Sequence, residues 1–447
     1  MLRREWTTIL FIVVVLGLRA ASAPTATAAM LLLALYALAG RRQAVLALVL
    51  VWLFMMLNTN FVPRLSGVSM LRYVVILMAA LSVLLRGPLL SGSGRFSRFG
   101  IWTLGLGVLI MAHSIALSEV PTVSFLKAAS WTTAILTATG AWSGMSTKMQ
   151  ERTSNTIYVL LALILVFSLL TLPLPGAHVS GWLFKGILVN SQVLGATIAL
   201  LSVWTFARVL QNPTYVGISL FVATFPVLLF SGARTSLFAV FLAMLFTPII
   251  FPILTGRRLS MISRVFRSRR LVISAGVLLL PMVFMAPVLV QNFGDFLRKN
   301  TDSLGVLEAY DNSRGRLISE MWENIQENPL TGIGFGIASD PVSMRVDTVG
   351  GIPISALVEK GVMPLAVLEE LGIFGAGLTA VWLLMILFRS SRSNFSSLMV
   401  VLTILAINLG ESMLFSPGGM GLLFVIFVGW AVAQPTIGYG FQRRSLQ

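Results

Sequence analysis

The chain has 447 residues, of which 57% are hydrophobic and only 11% are charged, and its mean hydropathy is +0.90. Soluble domains carry about 25% charged residues, so this composition excludes an ordinary soluble protein and indicates one that crosses a membrane repeatedly. The net charge is +16, but the arginines stand in short loops between apolar segments, so we expect no nucleic-acid binding. The absence of cysteine excludes thiolate chemistry, and two histidines are too few for a histidine metal cluster.

Long apolar segments dominate the chain, and a membrane-spanning helix needs about 20 mostly apolar residues. The first segment follows Arg3 and Arg4 as a secretion signal would, but it has no clear cleavage site, so we interpret it as a retained helix. The candidate spans are residues 6–21, 23–39, 43–58, 70–86, 100–117, 123–143, 155–173, 187–207, 214–231, 234–254, 271–290, 362–388, 396–414 and 418–434.

The predicted fold is therefore an all-α polytopic membrane protein with about 14 spanning helices, within a range of about 12 to 14. Residues 1–290 carry the first eleven spans and residues 359–447 carry the last three and a short tail. Between them, residues 291–358 form one polar loop, which we expect to be a small helical subdomain.

Basic residues orient these helices. Most of the 32 lysines and arginines fall in alternate loops, which the positive-inside rule assigns to the cytoplasm together with both termini. The arginine-rich stretch 257–270 is then a cytoplasmic topology anchor that contacts anionic lipids. The polar loop at 291–358 is predicted to be extracytoplasmic.

Acidic residues are concentrated in that loop and the helix ends beside it. Of the 16 in the chain, only Glu5, Glu119 and Glu151 come before residue 291. Carboxylates in or near a bilayer are costly and need a partner or a function. We therefore expect the working site at the loop.

The loop contains an amphipathic helix and a glycine-rich segment. Apolar residues recur at spacings of three and four in 313–328, with Ser313 as a cap and Pro329 as the end. The predicted apolar face consists of Leu317, Ile318, Met321, Trp322 and Ile325. Gly332, Gly334 and Gly336 then allow positive φ angles, and such a turn can present amides to an anion.

Three arginines are candidates for binding a phosphorylated ligand, because guanidinium groups form paired hydrogen bonds to phosphate oxygens. Arg314 and Arg316 begin the loop helix, and their alternative is pairing with Asp311, Glu320 or lipid headgroups. Arg234 lies between two apolar helices at the predicted outer face, where the positive-inside rule disfavours a plain anchor, although anchoring stays the alternative.

The remaining candidates are amide and carboxylate groups. Asn190 and Gln192 begin a helix at the outer face, where they either bind a hydroxylated ligand or hold helices together. Glu359, Lys360, Glu370 and Glu411 stand at or in the last helices, and for each carboxylate a structural ion pair competes with a role as general base.

Three elements in this order resemble the O-antigen ligase/polymerase superfamily of bacterial envelope glycosyltransferases. They are the segment 230–236 around Arg234, the loop segment 313–336, and Leu-Glu-Glu-Leu-Gly-Ile-Phe-Gly at 368–375. The segment 186–195 is similar to the family's G-x-x-x-N-x-N-x-x-G element, with Gln192 in place of the second asparagine. The resemblance covers roughly residues 180–415, and it lies in the order of the motifs rather than in any one of them.

The resemblance implies a GT-C-type glycosyltransferase in the bacterial inner membrane, with its active site on the periplasmic side. The donor would be a glycan on undecaprenyl diphosphate, and the acceptor another such lipid or lipid A–core. The family's anion-binding arginines would correspond to Arg234 and to Arg314 or Arg316. Asn190, Gln192, Trp322 and Glu411 are candidate substrate-binding residues, and a chain-length regulator is a candidate partner protein.

One departure from the family pattern favours a polymerase. Ligases carry His-Asn near the end of the loop, whereas this chain reads Glu-Lys-Gly-Val-Met-Pro at 359–364. Glu359 or Glu370 would then serve as the base, with Lys360 as an added cation. No Asp-x-Asp pair occurs, so we expect neither metal nor cofactor. The alternatives are a ligase and, from another class, a lipid-linked oligosaccharide flippase, although no two-fold repeat typical of transporters is apparent.

Overall fold

The computed structural model describes residues 2–65, 70–87, 94–179, 183–256, 315–342, 344, 346–349, 352–356, 358 and 360–433. Helices account for most of them. They are α1 (Leu2–Ala21), α2 (Ala23–Leu38), α3 (Arg41–Met56), α4 (Leu71–Leu85), α5 (Gly94–Leu117), α6 (Pro121–Ser143), α7 (Thr147–Leu170), α8 (Ser191–Gln211), α9 (Tyr215–Phe230), α10 (Arg234–Thr255), α11 (Arg316–Glu327), α12 (Met363–Ser393), α13 (Phe395–Asn408) and α14 (Met420–Ala433).

The expectation of a mostly helical membrane protein is confirmed. Helices occupy every predicted span except 271–290, which lies outside the described residues together with the basic stretch 257–270. Five of the described helices have the length and hydropathy of a membrane span: Arg98–Leu117, Thr147–Leu170, Ser191–Gln211, Arg234–Thr255 and Met363–Ser393. Six more are apolar but shorter, so the count of 14 spans stays a prediction.

Three helices form the centre of the bundle. Almost every residue of α3 from Ala44 to Phe54, of α8 from Val193 to Thr205, and of α14 from Met420 to Val432 is buried. A helix that is apolar all round needs to be covered all round, either by lipid or by other helices. Here α6 and α13 supply the cover for α14 and α8, and the aromatic ring of Trp204 packs on Phe427 and Trp430.

The two ends of the bundle differ in chemistry. At one end, Arg41 donates to the carbonyls of Gly144 at 2.5 Å and Arg86 at 2.7 Å, and Arg208 donates to Asn155 at 2.7 Å. We call this the basic end. The opposite end, where α4, α6, α8, α10, α12 and α14 begin, carries α11 and the strands, and we call it the loop end. Which end faces the cytoplasm stays a prediction.

Small β-hairpins accompany the helices at the loop end. Strands β1 (His178–Val179) and β2 (Leu183–Phe184) pair antiparallel, as do β3 (Val346–Val349) and β4 (Ile352–Ala356). The sequence of the second hairpin carried the signal, because β-branched residues flank Gly350-Gly351, a two-glycine pair typical of tight hairpin turns.

The predicted position of the loop helix is confirmed, but one residue of its predicted buried face is exposed. Helix α11 runs from Arg316 to Glu327, and Ser313 lies outside the described residues. Met321 and Ile325 are buried as predicted, but Trp322 is 50% exposed. The assignment of Trp322 to the buried face was wrong. The helix packs against the bundle through Met321 and Ile325, and Trp322, one position further around the helix, lies outside that contact.

Candidate functional site

A break inside helix α12 creates the centre of the site. Gly372 has φ 63° and ψ −176°, a conformation outside the helical region that glycine adopts without a Cβ penalty. The helix continues on both sides of it. The break frees the carbonyl groups of Glu369 and Glu370, which in an unbroken helix would accept from the amides four residues later.

The glycine-rich segment docks into this break. The amides of Ile333 and Gly334 donate to the carbonyls of Glu369 at 2.9 Å and Glu370 at 3.0 Å. In return, the amide of Ile373 donates to the carbonyl of Pro329 at 3.0 Å. The predicted positive φ angles of the three loop glycines are confirmed, at 68°, 125° and 67°. The loop therefore hydrogen-bonds to the break through its backbone. The amides of Ile333 and Gly334 donate within the protein and are not presented to an anion.

The docked segment fixes a buried ion cluster. The Lys360 ammonium donates to Glu369 Oε2 at 2.6 Å and lies 3.2 Å from Glu370 Oε1. Asn324 of α11 donates to the other oxygen, Glu369 Oε1, at 2.7 Å and to the Ser339 carbonyl at 2.8 Å. The Gly336 amide donates to the Glu370 carboxylate. The two carboxylates thus differ, since Glu369 is wholly buried while Glu370 reaches open space.

That open space is a cavity of about 340 Å³ at the loop end. Its polar wall includes Lys360, Glu370, Arg72 of α4, Lys127 of α6 and Ser412. Its apolar wall comes from the same two helices, through Ile76 and Leu77 of α4 and Val123 and Leu126 of α6. Two predicted catalytic residues, Lys360 and Glu370, are therefore brought together at one cavity.

Arg72 and Lys127 are cavity residues that sequence reasoning missed. Arg72 donates to the Gly418 carbonyl at 3.2 Å and to the Tyr73 hydroxyl at 2.9 Å. Lys127 donates to the Gly336 carbonyl at 2.6 Å. A signal was present, because both are basic residues at helix ends that the positive-inside rule assigns to the wrong side for an anchor.

The segment 409–419 between α13 and α14 forms another wall of the cavity. Asn408 orders it by accepting from the amides of Met413 and Leu414, both at 2.9 Å. The Ser412 amide then donates to the Lys360 carbonyl at 3.1 Å. Phe415 lines the cavity and packs its ring on Trp131, with ring centroids 5.1 Å apart.

Arg234 lies at the same end of the bundle but not in the cavity wall. It begins α10, next to the turn where Ala233 contacts Gly195 of α8 and where Thr235 contacts Gly410, two residues after the end of α13. We call these elements the Arg234 corner. The Arg234 Nη2 atom is buried, and no group in the described part of the chain accepts a hydrogen bond from it.

The other predicted substrate residues lie around these two places. Asn190 caps α8 by accepting from the Val193 amide at 2.8 Å, and Gln192 in the first turn is exposed. Glu411 follows Gly410 and is partly exposed. Arg316 forms an exposed ion pair with Glu320 at 3.3 Å, which is one of its two predicted roles. Glu359 and Arg314 lie outside the described residues.

The chain matches no protein-family model and no curated protein sequence. The family resemblance and the residue roles that it implies therefore stay predictions.

Proposed function

We propose that the protein is a bacterial envelope polysaccharide polymerase of GT-C type. It would join oligosaccharide repeat units carried on undecaprenyl diphosphate, at the periplasmic face of the inner membrane. Donor and acceptor would both be lipid-linked, and no metal would be needed. The membrane-embedded bundle would keep the hydrocarbon tails in lipid while the loop end holds the sugars.

The observation that carries the proposal is the Lys360–Glu370 pair at the cavity. A carboxylate and an ammonium 3.2 Å apart face a space that is polar on one wall and apolar on the other. Glu370 cannot relax away, because the docked loop holds its backbone carbonyl and the Gly336 amide holds its side chain. Such a fixed group is suited to proton transfer, which needs the base within hydrogen-bonding reach of its substrate.

The proposed reaction is a single displacement. A hydroxyl of the acceptor sugar attacks the anomeric carbon of the donor sugar and forms the new C–O bond. The bond between that carbon and the diphosphate oxygen breaks, and the electron pair leaves with undecaprenyl diphosphate. The hydroxyl proton passes to Glu370, with Glu359 as the alternative base. The anomeric configuration is thereby inverted.

Cations would stabilise the leaving group. Charge develops on the diphosphate as the bond breaks, and arginine offers several hydrogen-bond donors that match phosphate oxygens. Arg234 is our first candidate, because its Nη2 atom has no acceptor in the described part of the chain. Arg314 or Arg316 is the second, and Lys360 would add a positive charge beside the base.

The test uses purified protein in nanodiscs with one synthetic undecaprenyl-diphosphate oligosaccharide, a chelator, and no lipid A–core. We expect a ladder of lengthening lipid-linked glycans on a gel. The Glu370→Gln variant, prepared in the same way, is the control for background transfer. No ladder with the native repeat unit would contradict the polymerase. Transfer that appears only after lipid A–core is added would assign the protein as a ligase.

A further inference from the structure

The docked segment, which we define as residues 329–337, pairs its backbone with several parts of the bundle. Its carbonyls accept from α12, from α5, from the turn between α5 and α6, and from α6. The acceptors are the carbonyls of Pro329, Thr331, Ile333 and Gly336, and the donors are Ile373, His113, Glu119 and Lys127 in that order. Non-helical backbone at membrane depth is tolerated only where protein or a water-filled cavity satisfies it. The pairing of this segment meets that requirement.

The basic end supplies a reference level for the depth of the segment. Arg389 lies near the end of α12, and its guanidinium stands over the Phe99 ring of α5, 5.6 Å from the ring centroid. Both helices have the length and hydropathy of a membrane span. An arginine near the end of a span keeps its charge at the interface rather than in hydrocarbon. The contact between Arg389 and Phe99 therefore marks one boundary of the hydrocarbon core for both helices.

Both helices place the docked segment less than one hydrocarbon thickness from that level. In α12, Ile373 precedes Arg389 by 16 residues, and a rise of about 1.5 Å per residue makes this about 24 Å. In α5, His113 follows Phe99 by 14 residues, or about 21 Å. The hydrocarbon core is about 30 Å thick, and a tilt of either helix shortens these distances along the membrane normal. The partners of Pro329 and Thr331 thus lie at hydrocarbon depth.

Three apolar side chains at this level are exposed on the outside of the bundle. Leu330, Ile373 and Phe374 are 59%, 58% and 71% exposed. They are neighbours, because Gly372 packs against the Leu330 carbonyl and the Ile373 amide donates to Pro329. We call these three residues the Leu330 face. Further along α12 towards the basic end, the exposed apolar residues are Leu378, Val381, Leu384 and Phe388.

We propose that the Leu330 face contacts the acyl chains of membrane lipids, so that the docked segment lies inside the membrane rather than above it. The face is continuous with the exposed side of α12, a helix of span length, and residues 373–388 contain no charged side chain. A continuous apolar side of a spanning helix has hydrocarbon as its solvent. This inference goes beyond the proposed function, since it requires no transfer reaction.

The test uses the absence of cysteine from the chain, because one introduced thiol is then the only group to label. The full-length Leu330→Cys variant is spin-labelled and reconstituted in vesicles of phosphatidylcholine and phosphatidylglycerol. Collisions with oxygen, which concentrates in hydrocarbon, are compared with collisions with a water-soluble nickel chelate. Leu163→Cys, on an exposed position within the span of α7, is the hydrocarbon control, and Glu327→Cys, exposed on α11, is the water control.

We expect the oxygen-to-nickel collision ratio at Leu330→Cys to be close to that at Leu163→Cys and several-fold above that at Glu327→Cys. A ratio as low as that at Glu327→Cys would place the docked segment in water and overturn the proposal. A label that collides with neither reagent would show that protein covers the Leu330 face, and it would equally overturn the proposal.

Phe374→Cys repeats the measurement on α12, so that the test does not depend on one labelled loop residue. Its label should give the same ratio, because the bond from Ile373 to Pro329 holds the two positions at one level. Where Leu330→Cys fails to fold, the ratio at Phe374→Cys decides between lipid and water. Hydrocarbon ratios in a protein that forms no glycan ladder would refute the polymerase and leave this inference standing. A glycan ladder from a protein with water-like ratios would refute this inference alone.

Discussion

The cavity cluster and the Arg234 corner stand at the same end of the bundle but differ in how their charges are satisfied. In the cavity, Lys360, Glu369 and Glu370 are buried and bonded to one another. At the corner, the Arg234 Nη2 atom is buried without an acceptor among the described residues. The first is a preorganised group of side chains, and the second is a cation with one buried donor for which the described residues supply no acceptor.

This difference indicates different roles. A general base needs a fixed position before the substrate arrives, because misplacement by a fraction of a bond length reduces the rate. A cation that binds a diphosphate instead gains its partner with the substrate, so its donors are free beforehand. The buried ion pair costs desolvation, and the hydrogen bonds from Asn324 and Gly336 offset that cost.

Glu370→Gln has the largest expected effect, and it tests whether the fixed carboxylate of the cavity cluster is the general base. We expect the rate of glycan transfer to fall by about a hundredfold or more, because proton transfer contributes about that much. The matched control is Glu327→Gln, on an exposed acid of α11. The rate of lipid-linked product formation is the measurement. A normal rate in Glu370→Gln would move the base to Glu359 or remove base assistance from the mechanism.

Arg234→Ala tests the second region of the comparison, the Arg234 corner. We expect transfer to fall by about tenfold to a hundredfold, since one charge-assisted contact to the leaving group is lost. Membrane expression and thermal stability should be unchanged or slightly improved, because the buried Nη2 atom forms no hydrogen bond with the described part of the chain. Arg316→Ala, at an exposed ion pair, should have the smaller effect. Normal polymer from Arg234→Ala would exclude the diphosphate role.

Gly372→Ala tests how the loop fixes the cluster. The new Cβ would collide with the Leu330 carbonyl, and the backbone at φ 63° and ψ −176° lies in a region nearly confined to glycine, which costs another residue about 1–3 kcal/mol. We expect a lower thermal midpoint and loss of loop docking. Gly377→Ala in the same helix has nothing within 4 Å and should be neutral or stabilising. Equal behaviour of the two variants would show that the break is not essential.

Asn324→Ala is a finer test of the same cluster. It removes the hydrogen bond to the buried Glu369 carboxylate, and a hydrogen bond to a charged group contributes about 1.5–3 kcal/mol. We expect a reduced thermal midpoint and a several-fold lower turnover with little change in substrate KM, because Asn324 positions the cluster without touching substrate. Gln326→Ala, exposed on the same helix, is the control. A change in KM alone would contradict a positioning role.

The smallest expected effect is that of replacing both histidines. His113 donates to the Thr331 carbonyl and His178 to the Leu172 carbonyl, and both side chains are half-buried and lie outside the cavity wall. The double variant His113→Ala/His178→Ala should transfer glycan at the wild-type rate and change stability by about 0.5 kcal/mol per site. Loss of transfer would restore a histidine mechanism and weaken the assignment to Glu370.

The sequence predicted much of the scaffold. Hydropathy located the apolar helices because a span must present about 20 residues that tolerate hydrocarbon. Periodicity located α11, and the spacing of Gly332, Gly334 and Gly336 indicated the positive φ angles that the loop adopts. Glu370 and Lys360 stood out because charges near apolar helices are rare.

The sequence did not predict that Lys360, Glu369 and Glu370 form one buried ion cluster. Glu369 and Glu370 are neighbours in the chain, yet one is wholly buried behind Lys360 and the other faces the cavity. That distinction depends on the break at Gly372, which no local pattern in a long apolar helix reveals. Similarly, Arg72 and Lys127 precede Lys360 by hundreds of residues, and only the packing of α4 and α6 brings them to one wall.

The sequence by itself thus determined what kind of molecule this is, since hydropathy and charge act on each segment independently of its neighbours. Only the tertiary structure decided which charges share a cavity and which of them face it. The physical reason is that a buried charge is tolerated where specific partners meet it, and those partners come from segments far apart in the chain.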